Sequence, residues 1–280
     1  MRGFVFVMLA ACGASSRTTT DARLDGSAGG GSDGSGSGGD NFPVYAHGDH
    51  VLYSIDLANQ SLVTVGNFNA PLVDIGGKMK EDVITDLAVA PDGTIYVVSE
   101  TELYTANAAD GHVTQVGTLS TCGQRVVALT TTPDGQIWTG DFTGNLCRID
   151  ITMSPPQVQP PITMGSHMAL AGDMVAVDSG TVFGTAYDLN DNNSQDNNVL
   201  VKIDLTNGAV TQIGASGFGK LFGTAFQQGK VFAFSHDGTG DVVTIDPTTG
   251  AGTVYATFTD PTTSQGIAFA GAGVSSLVIE

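Results

Sequence analysis

The sequence predicts an all-β fold: a single β-propeller of five four-stranded blades, with the ring closed between the N- and C-terminal strands. Three observations carry this. The phrase LYSIDLANQSLVTVG at residues 52–66 returns in closely similar form as LVKIDLTNGAVTQIG at 200–214. Its first half occurs five times, as HVLYSID from residue 50, ELYTAN from 102, NLCRID from 145, VLVKID from 199 and DVVTID from 241. The segment from 42 to 280 also starts and stops in mid-repeat, so its two ends complete one unit.

Each copy alternates apolar and polar positions, the period of a strand with one face buried. A polar stretch such as LANQS, AADGH, LTNGA or PTTGA follows, then a second alternating run such as HVTQVGTL. Asp and Gly suit the turn between them, because Asp bonds its own backbone and Gly supplies positive φ. Ahead of every copy but the first stands another hairpin: DLAVAPDGTIYVVS, VVALTTTPDGQIWTG, MVAVDSGTVFGTAY and LFGTAFQQGKVFAF. Their turn glycines, Gly93, Gly135, Gly180 and Gly229, are 42, 45 and 49 residues apart. Two hairpins, strands a to d, repeated at that period are a propeller blade.

The ends assign the fifth blade. PVYAHGDHVLYSID and SLVTVGNF supply strands b, c and d, and GIAFAGAG near the C-terminus supplies strand a. VSSLVIE (274–280) and VYAHG (44–48) both fit strand b, so that assignment stays open at this point. Closure removes the exposed edges that an open row of sheets would present.

Composition narrows function. The 280 residues include 10 Lys+Arg against 28 Asp+Glu, a formal net charge of −18. Nucleic acid and anionic lipid surfaces need a cationic footprint and are excluded as partners. A divalent metal, a cationic ligand or a neutral glycan remains compatible.

The first residues, MRGFVFVMLAAC, hold one positive charge and an apolar run too short to span a bilayer, which takes roughly 20 residues. They read as a signal peptide over 1–11. The ending LAAC resembles the lipobox of bacterial lipoproteins, and that resemblance implies cleavage before Cys12 and lipidation of Cys12. Residues 13–41 are mostly Gly, Ser, Asp and Thr, with little that could be buried, the composition of a disordered tether. The expected organisation is a signal peptide (1–11), a lipidated cysteine with tether (12–41) and a propeller (42–280), anchored in the cell envelope of a bacterium, periplasmic or surface facing.

LTTTPDGQIWTGDFTGNLCRID (129–150) is similar to a blade of the streptogramin lyase and SMP-30/lactonase propellers, and LAVAPDGTIYVVSETELYT resembles one loosely. Blades 3 and 4 lack the PDG turn, and the basic, His-bearing end of that family's repeat is missing. The resemblance implies the propeller fold and, as an alternative function, a metal-dependent hydrolase or lyase with a divalent cation in the channel.

In a propeller the b-to-c and d-to-a loops share one face, where ligands usually bind. His47, His50, Glu100, Asp141, His167, His236 and Asp237 fall there and are the ligand candidates; His47 and His236 end equivalent strands of adjoining blades. Asp92, Asp134, Asp204 and Asp246 fall at turns of the opposite face and read as turn formers. The loop DLNDNNSQDNN places Asp188, Asn190, Asn192 and Asp196 at alternating positions that echo a calcium loop, which would make Ca²⁺ a cofactor. Asn193 stands where that loop has Gly and Val199 where it has its bidentate Glu. Cys122 and Cys147 fall near one face of blade 2 and are expected to pair in an oxidising compartment. No GxSxG motif frames a serine nucleophile, and GFGKLFG (217–223) lacks Walker spacing. The expected function is therefore a monomeric, non-enzymatic binding module for a protein, peptide or glycan, attached to a membrane only through its lipid.

Overall fold

The computed structural model describes residues 42–74, 76–119, 122, 125–191 and 196–275, and these contain strands and no α-helix. In chain order, β1 (Val44–His47), β2 (Val51–Asp56) and β3 (Ser61–Asn67) precede a small hairpin of β4 (Leu72–Asp74) and β5 (Met79–Glu81). Blade 1 is β6 (Ile84–Val89), β7 (Ile95–Ser99), β8 (Glu102–Ala106) and β9 (Val113–Thr118). Blade 2 is β10 (Val126–Thr131), β11 (Ile137–Asp141) and β12 (Asn145–Asp150), with an outer edge split into β13 (Gln157–Val158) and β14 (Ile162–Thr163). Blade 3 is β15 (Met168–Ala176), β16 (Thr181–Asp188), β17 (Val199–Asp204) and β18 (Val210–Ala215). Blade 4 is β19 (Leu221–Gln227), β20 (Lys230–Ser235), β21 (Asp241–Ile245) and β22 (Gly252–Thr257), and β23 (Gly271–Gly273) comes last.

The closing sheet runs β23-β1-β2-β3, with Tyr45 opposite Gly273 and His47 opposite Gly271. Strand b of the fifth blade is therefore N-terminal, and the C-terminal segment contributes strand a. This resolves the choice between VYAHG and VSSLVIE. Ser275 adds a parallel bridge to Val89 of blade 1, so the last described residues touch the first full blade as well as their own.

Burial follows position in the blade. Inner strands have neighbours on both faces and read as continuous apolar runs; β7 (IYVVS) is buried at every position. Outer strands β3, β9, β18 and β22 show mostly exposed or half-buried residues. Five apolar clusters form, one at each interface between blades. The cluster between blade 4 and the closing blade joins Phe234, Phe258 and Phe269 to Val44, Tyr53 and Ile55. The ring is thus held by apolar side chains at every seam, and hydrogen bonds also cross between blades, such as that from the Thr131 hydroxyl to the Val89 carbonyl.

The repeated phrase owes two of its features to these seams. Its final glycine lies on the outer strand, where the next blade's c-to-d turn docks. A Cβ at Gly214 would overlap the carbonyl of Thr249, and one at Gly66 would overlap that of Asp110. The pairing of β3, β9, β18 and β22 with the strand before each shifts register beside this position, in blade 3 between Leu200 and Val201 of β17. Its Asp serves the turn. Asp204 accepts from the N–H and hydroxyl of Thr206, which holds its carboxyl below the usual range, and Gly208 takes φ +75°. Asp246 and Asp150 do the same for their own turns.

Cys122, in the loop before β10, is bonded to Cys147 in β12, with Cα atoms 5.8 Å apart, inside the normal range for a bridge. The disulfide ties the connection between blades 1 and 2 to the third strand of blade 2.

Candidate functional site

The inner strands β6, β10, β15, β19 and β23 line the channel. Four of them break register at the same level, between Ile84 and Asp86, Val126 and Ala128, Leu170 and Met174, and Leu221 and Gly223. These bulges turn backbone N–H groups into the channel, and two carboxylates meet them. Asp86 accepts from its neighbour Leu87 at 2.8 Å and from Leu129 of blade 2 at 2.6 Å. Asp173 accepts from Met174 at 2.5 Å and from Thr224 of blade 4 at 2.6 Å. Each aspartate thus links its own blade to the next.

Both aspartates are fully buried and lie close enough for each to bear on the protonation of the other. Burial pushes both carboxyls well above the ordinary range, and for Asp86 the charge of Asp173 adds to it. Two carboxylates in such contact share a proton. The fully buried His47 stands beside them. A Cβ on Gly271 would overlap Asp86 Oδ1 and lie 2.6 Å from His47 Nε2, so the glycine is what lets these groups approach. His47 Nδ1 is 2.7 Å from the Gly48 carbonyl and is assigned as the donor. Burial lowers the His47 pKa to about 4, against the opposing effects of the Gly48 bond and Asp49. The imidazole is neutral at physiological pH.

Deeper in, the channel is filled by Leu87, Leu129, Met174 and Phe226, leaving a void of about 10 Å³. That is about enough for one water. The acid pair and His47 are candidates for acid–base chemistry by type, but they face each other and backbone amides.

The residues expected at the loop face are distributed around it. His236, directly after β20, stacks on Phe222 at 4.7 Å and lies close enough to His47 for its charge to bear on that ring, as expected from adjoining blades. Glu100 holds Arg125 at 2.5 Å, and Arg125 lies 5.8 Å over the Phe142 ring. His50 pairs with Glu81 at 3.7 Å, while His167 is exposed with φ +54°. Asp141 is buried and accepts from Thr143 and Asn145, closing its own b-to-c turn, and Asp237 does so with Thr239. In the calcium-like loop, Asp188 accepts from the backbone and side chain of Asn190, and Asp196 is exposed. Asn192 and Cys12 lie outside the described residues. Among the described residues no group of three or more His, Cys, Asp or Glu side chains is arranged to hold a metal ion.

A cavity of ligand size lies on the other face, at the seam of blades 2 and 3. It measures about 360 Å³, with Trp138, Ile162 and Leu205 as apolar walls and Gln136, Arg148 and Gln159 among its polar ones. It exists because blade 2 departs from the repeat. Where the other blades have one outer strand, ITMSPPQVQPPITMG breaks into β13 and β14, and Gln159 donates its N–H to the Arg148 carbonyl in the gap.

Sequence reasoning passed over Asp86 and Asp173. The available signal was an aspartate inside an apolar inner strand, in ITDLAV and AGDMVA, where blade 2 has Ala128 at the same register. A polar residue in such a run is the informative exception.

Fold and site together define a five-bladed β-propeller whose channel is filled by its own side chains. No protein-family model matches the chain, and no curated protein matches it. Among solved structures, one from a nidogen/laminin complex aligns with a TM-score of 0.51 at 13% identity, covering 83% of this chain and 97% of that chain. This likeness is one of fold. A protein of unknown function from Bacteroides caccae (TM-score 0.43, 10% identity, 77% of this chain and 72% of that one) and the Dos1 propeller (0.44, 10%, 75% and 56%) align less well.

Proposed function

We propose that this protein is a non-enzymatic binding module, carried on a lipid-anchored tether in the bacterial cell envelope, that holds a protein, peptide or glycan on its outer surface. The observation that carries the reading is the filled channel. The chain's candidate acid–base groups, Asp86, Asp173 and His47, are buried and engaged with one another, and the space beneath them is about 10 Å³. A substrate would have to displace the groups that bury all three side chains before it could touch them. The competing metal-dependent reading would place a divalent cation at these carboxylates, whose four oxygens already accept four backbone N–H groups. The anchor rests on LAAC at 9–12 and the Gly/Ser/Asp-rich stretch after it.

Two measurements test the proposal. Metabolic labelling with palmitate is expected to mark the wild-type chain and not Cys12→Ala; equal labelling of both would contradict the anchor. Incubation of the full-length protein with a panel of lactones and oligosaccharides, followed by mass spectrometry, is expected to return every compound unchanged. Turnover of any of them would contradict the non-enzymatic reading.

A further inference from the structure

We propose that the groove between blades 2 and 3 is a binding site for a neutral oligosaccharide; this deepens the binding-module reading and rests on it. The cavity, about 360 Å³, lies at the lower end of the range for ligand sites. Its walls combine an indole and two aliphatic side chains with amides, hydroxyls and one guanidinium, which suits a sugar ring: apolar C–H faces, with hydroxyls that both donate and accept.

Charge selects the neutral class. The chain's net charge of −18 repels polyanions. At the groove itself opposite charges stand near each other. Arg148 is exposed and makes none of the ion pairs found among the described residues; it contacts Gln136 Oε1 at 3.5 Å, and Asp150 feels its charge. Asp134 accepts from Thr132, Gln136 and Ser179. Donors and acceptors in balance match hydroxyls better than a carboxylate or an ammonium group.

Trp138 supplies an independent observation. It is 8% exposed, and its Nε1 is a buried donor with no acceptor. Such a group is costly to leave unpaired, and the indole that carries it forms part of the groove wall. A peptide cannot add as a strand to β12, because β13, β14 and the Gln159 N–H occupy its outer side.

Trp138 is the only tryptophan of the chain, so intrinsic fluorescence of the full-length protein reports on the groove directly. Titration with cellotriose, maltotriose, a galactose trisaccharide and trigalacturonate is expected to give a saturable change with at least one neutral sugar. Arg148→Ala should raise its Kd about tenfold, the loss of one charge-assisted bond. Ser179→Tyr, on an exposed turn, should abolish the change by filling the groove, and Gln159→Ala should weaken binding if that variant does not fold. No saturable change with any neutral sugar, a response to trigalacturonate alone, or binding untouched by these substitutions would overturn the proposal. The bound sugar is then weighed: an unaltered sugar bound elsewhere fails this site alone, whereas an altered one fails the binding-module reading itself.

Discussion

At the scale of single residues, the centre of the ring is governed by protons. His47 has a folded-state pKa of about 4 against 6.5 for the free side chain, so between those values the unfolded chain binds more protons. The stability this neutral histidine contributes is complete above pH 6.5 and is lost as pH falls towards 4, on the order of 3 kcal/mol. Chemical denaturation at pH 7 and pH 4.5 should show that loss in the wild type and a smaller one in His47→Gln. The aspartate pair has the opposite sign. Its raised pKa values mean that the folded state holds the extra proton, and stability declines as pH climbs from the ordinary carboxylate range through the raised values. Asp86→Asn cannot ionise and should decline less, from a starting point lower by about 1–3 kcal/mol, because its NH₂ group cannot accept the N–H of Leu87 or Leu129. Urea melts from pH 5 to 9 check both. These residues were hidden in the sequence because an inner strand presents one side chain in two to the channel, and only the register of five separate strands shows that Asp86 and Asp173 meet. The turn aspartates were legible, since Asp204 and Asp246 act within three residues of themselves.

At the scale of elements, the repeat is a rule for joining blades. The phrase ends on a glycine because the following blade's turn occupies the place of its side chain, and Gly214→Ala should destabilise by about 1–3 kcal/mol through overpacking against Thr249. A neutral result in thermal melts would show that the turn yields. Blade 4 illustrates the rule by departing from it: Ala256 replaces the glycine, and the turn it meets contains Gln60 and Leu57, tied to Tyr255 by side-chain bonds. The disulfide acts on the same scale. Closing the loop between Cys122 and Cys147 contributes about 3 kcal/mol in the chain-entropy model, and Cys147→Ala should lose that amount under oxidising conditions while matching the reduced wild type. Both cysteines were placed correctly by the strand count. The groove at blade 2 was not foreseen, because ITMSPPQVQPPITMG reads as a weak strand, and a cavity depends on what the neighbouring blade puts opposite it.

For the whole molecule, closure is the organising fact, and it was legible from the ends of the sequence together with the period of its turns. Removing residues 266–280 should strip Ile267, Phe269, Ala272 and Val274 from the seam and leave β1 paired on its β2 side alone. Burial of those side chains contributes roughly 5 kcal/mol, comparable to the total stability of many domains, so cooperative melting by circular dichroism should be lost. Function was less legible for a physical reason. A propeller's sequence is dominated by what every blade needs, and a site is made where single blades differ: two aspartates on inner strands, one split outer strand. On the proposed function, the channel filled by the protein's own side chains holds no catalytic metal. Metal analysis of the purified full-length protein, with melting measured in millimolar Ca²⁺, tests it most directly. No stoichiometric divalent metal and an unchanged melting temperature are expected; one equivalent of metal per chain, lost on substitution of Asp86 or Asp173, would contradict the proposal.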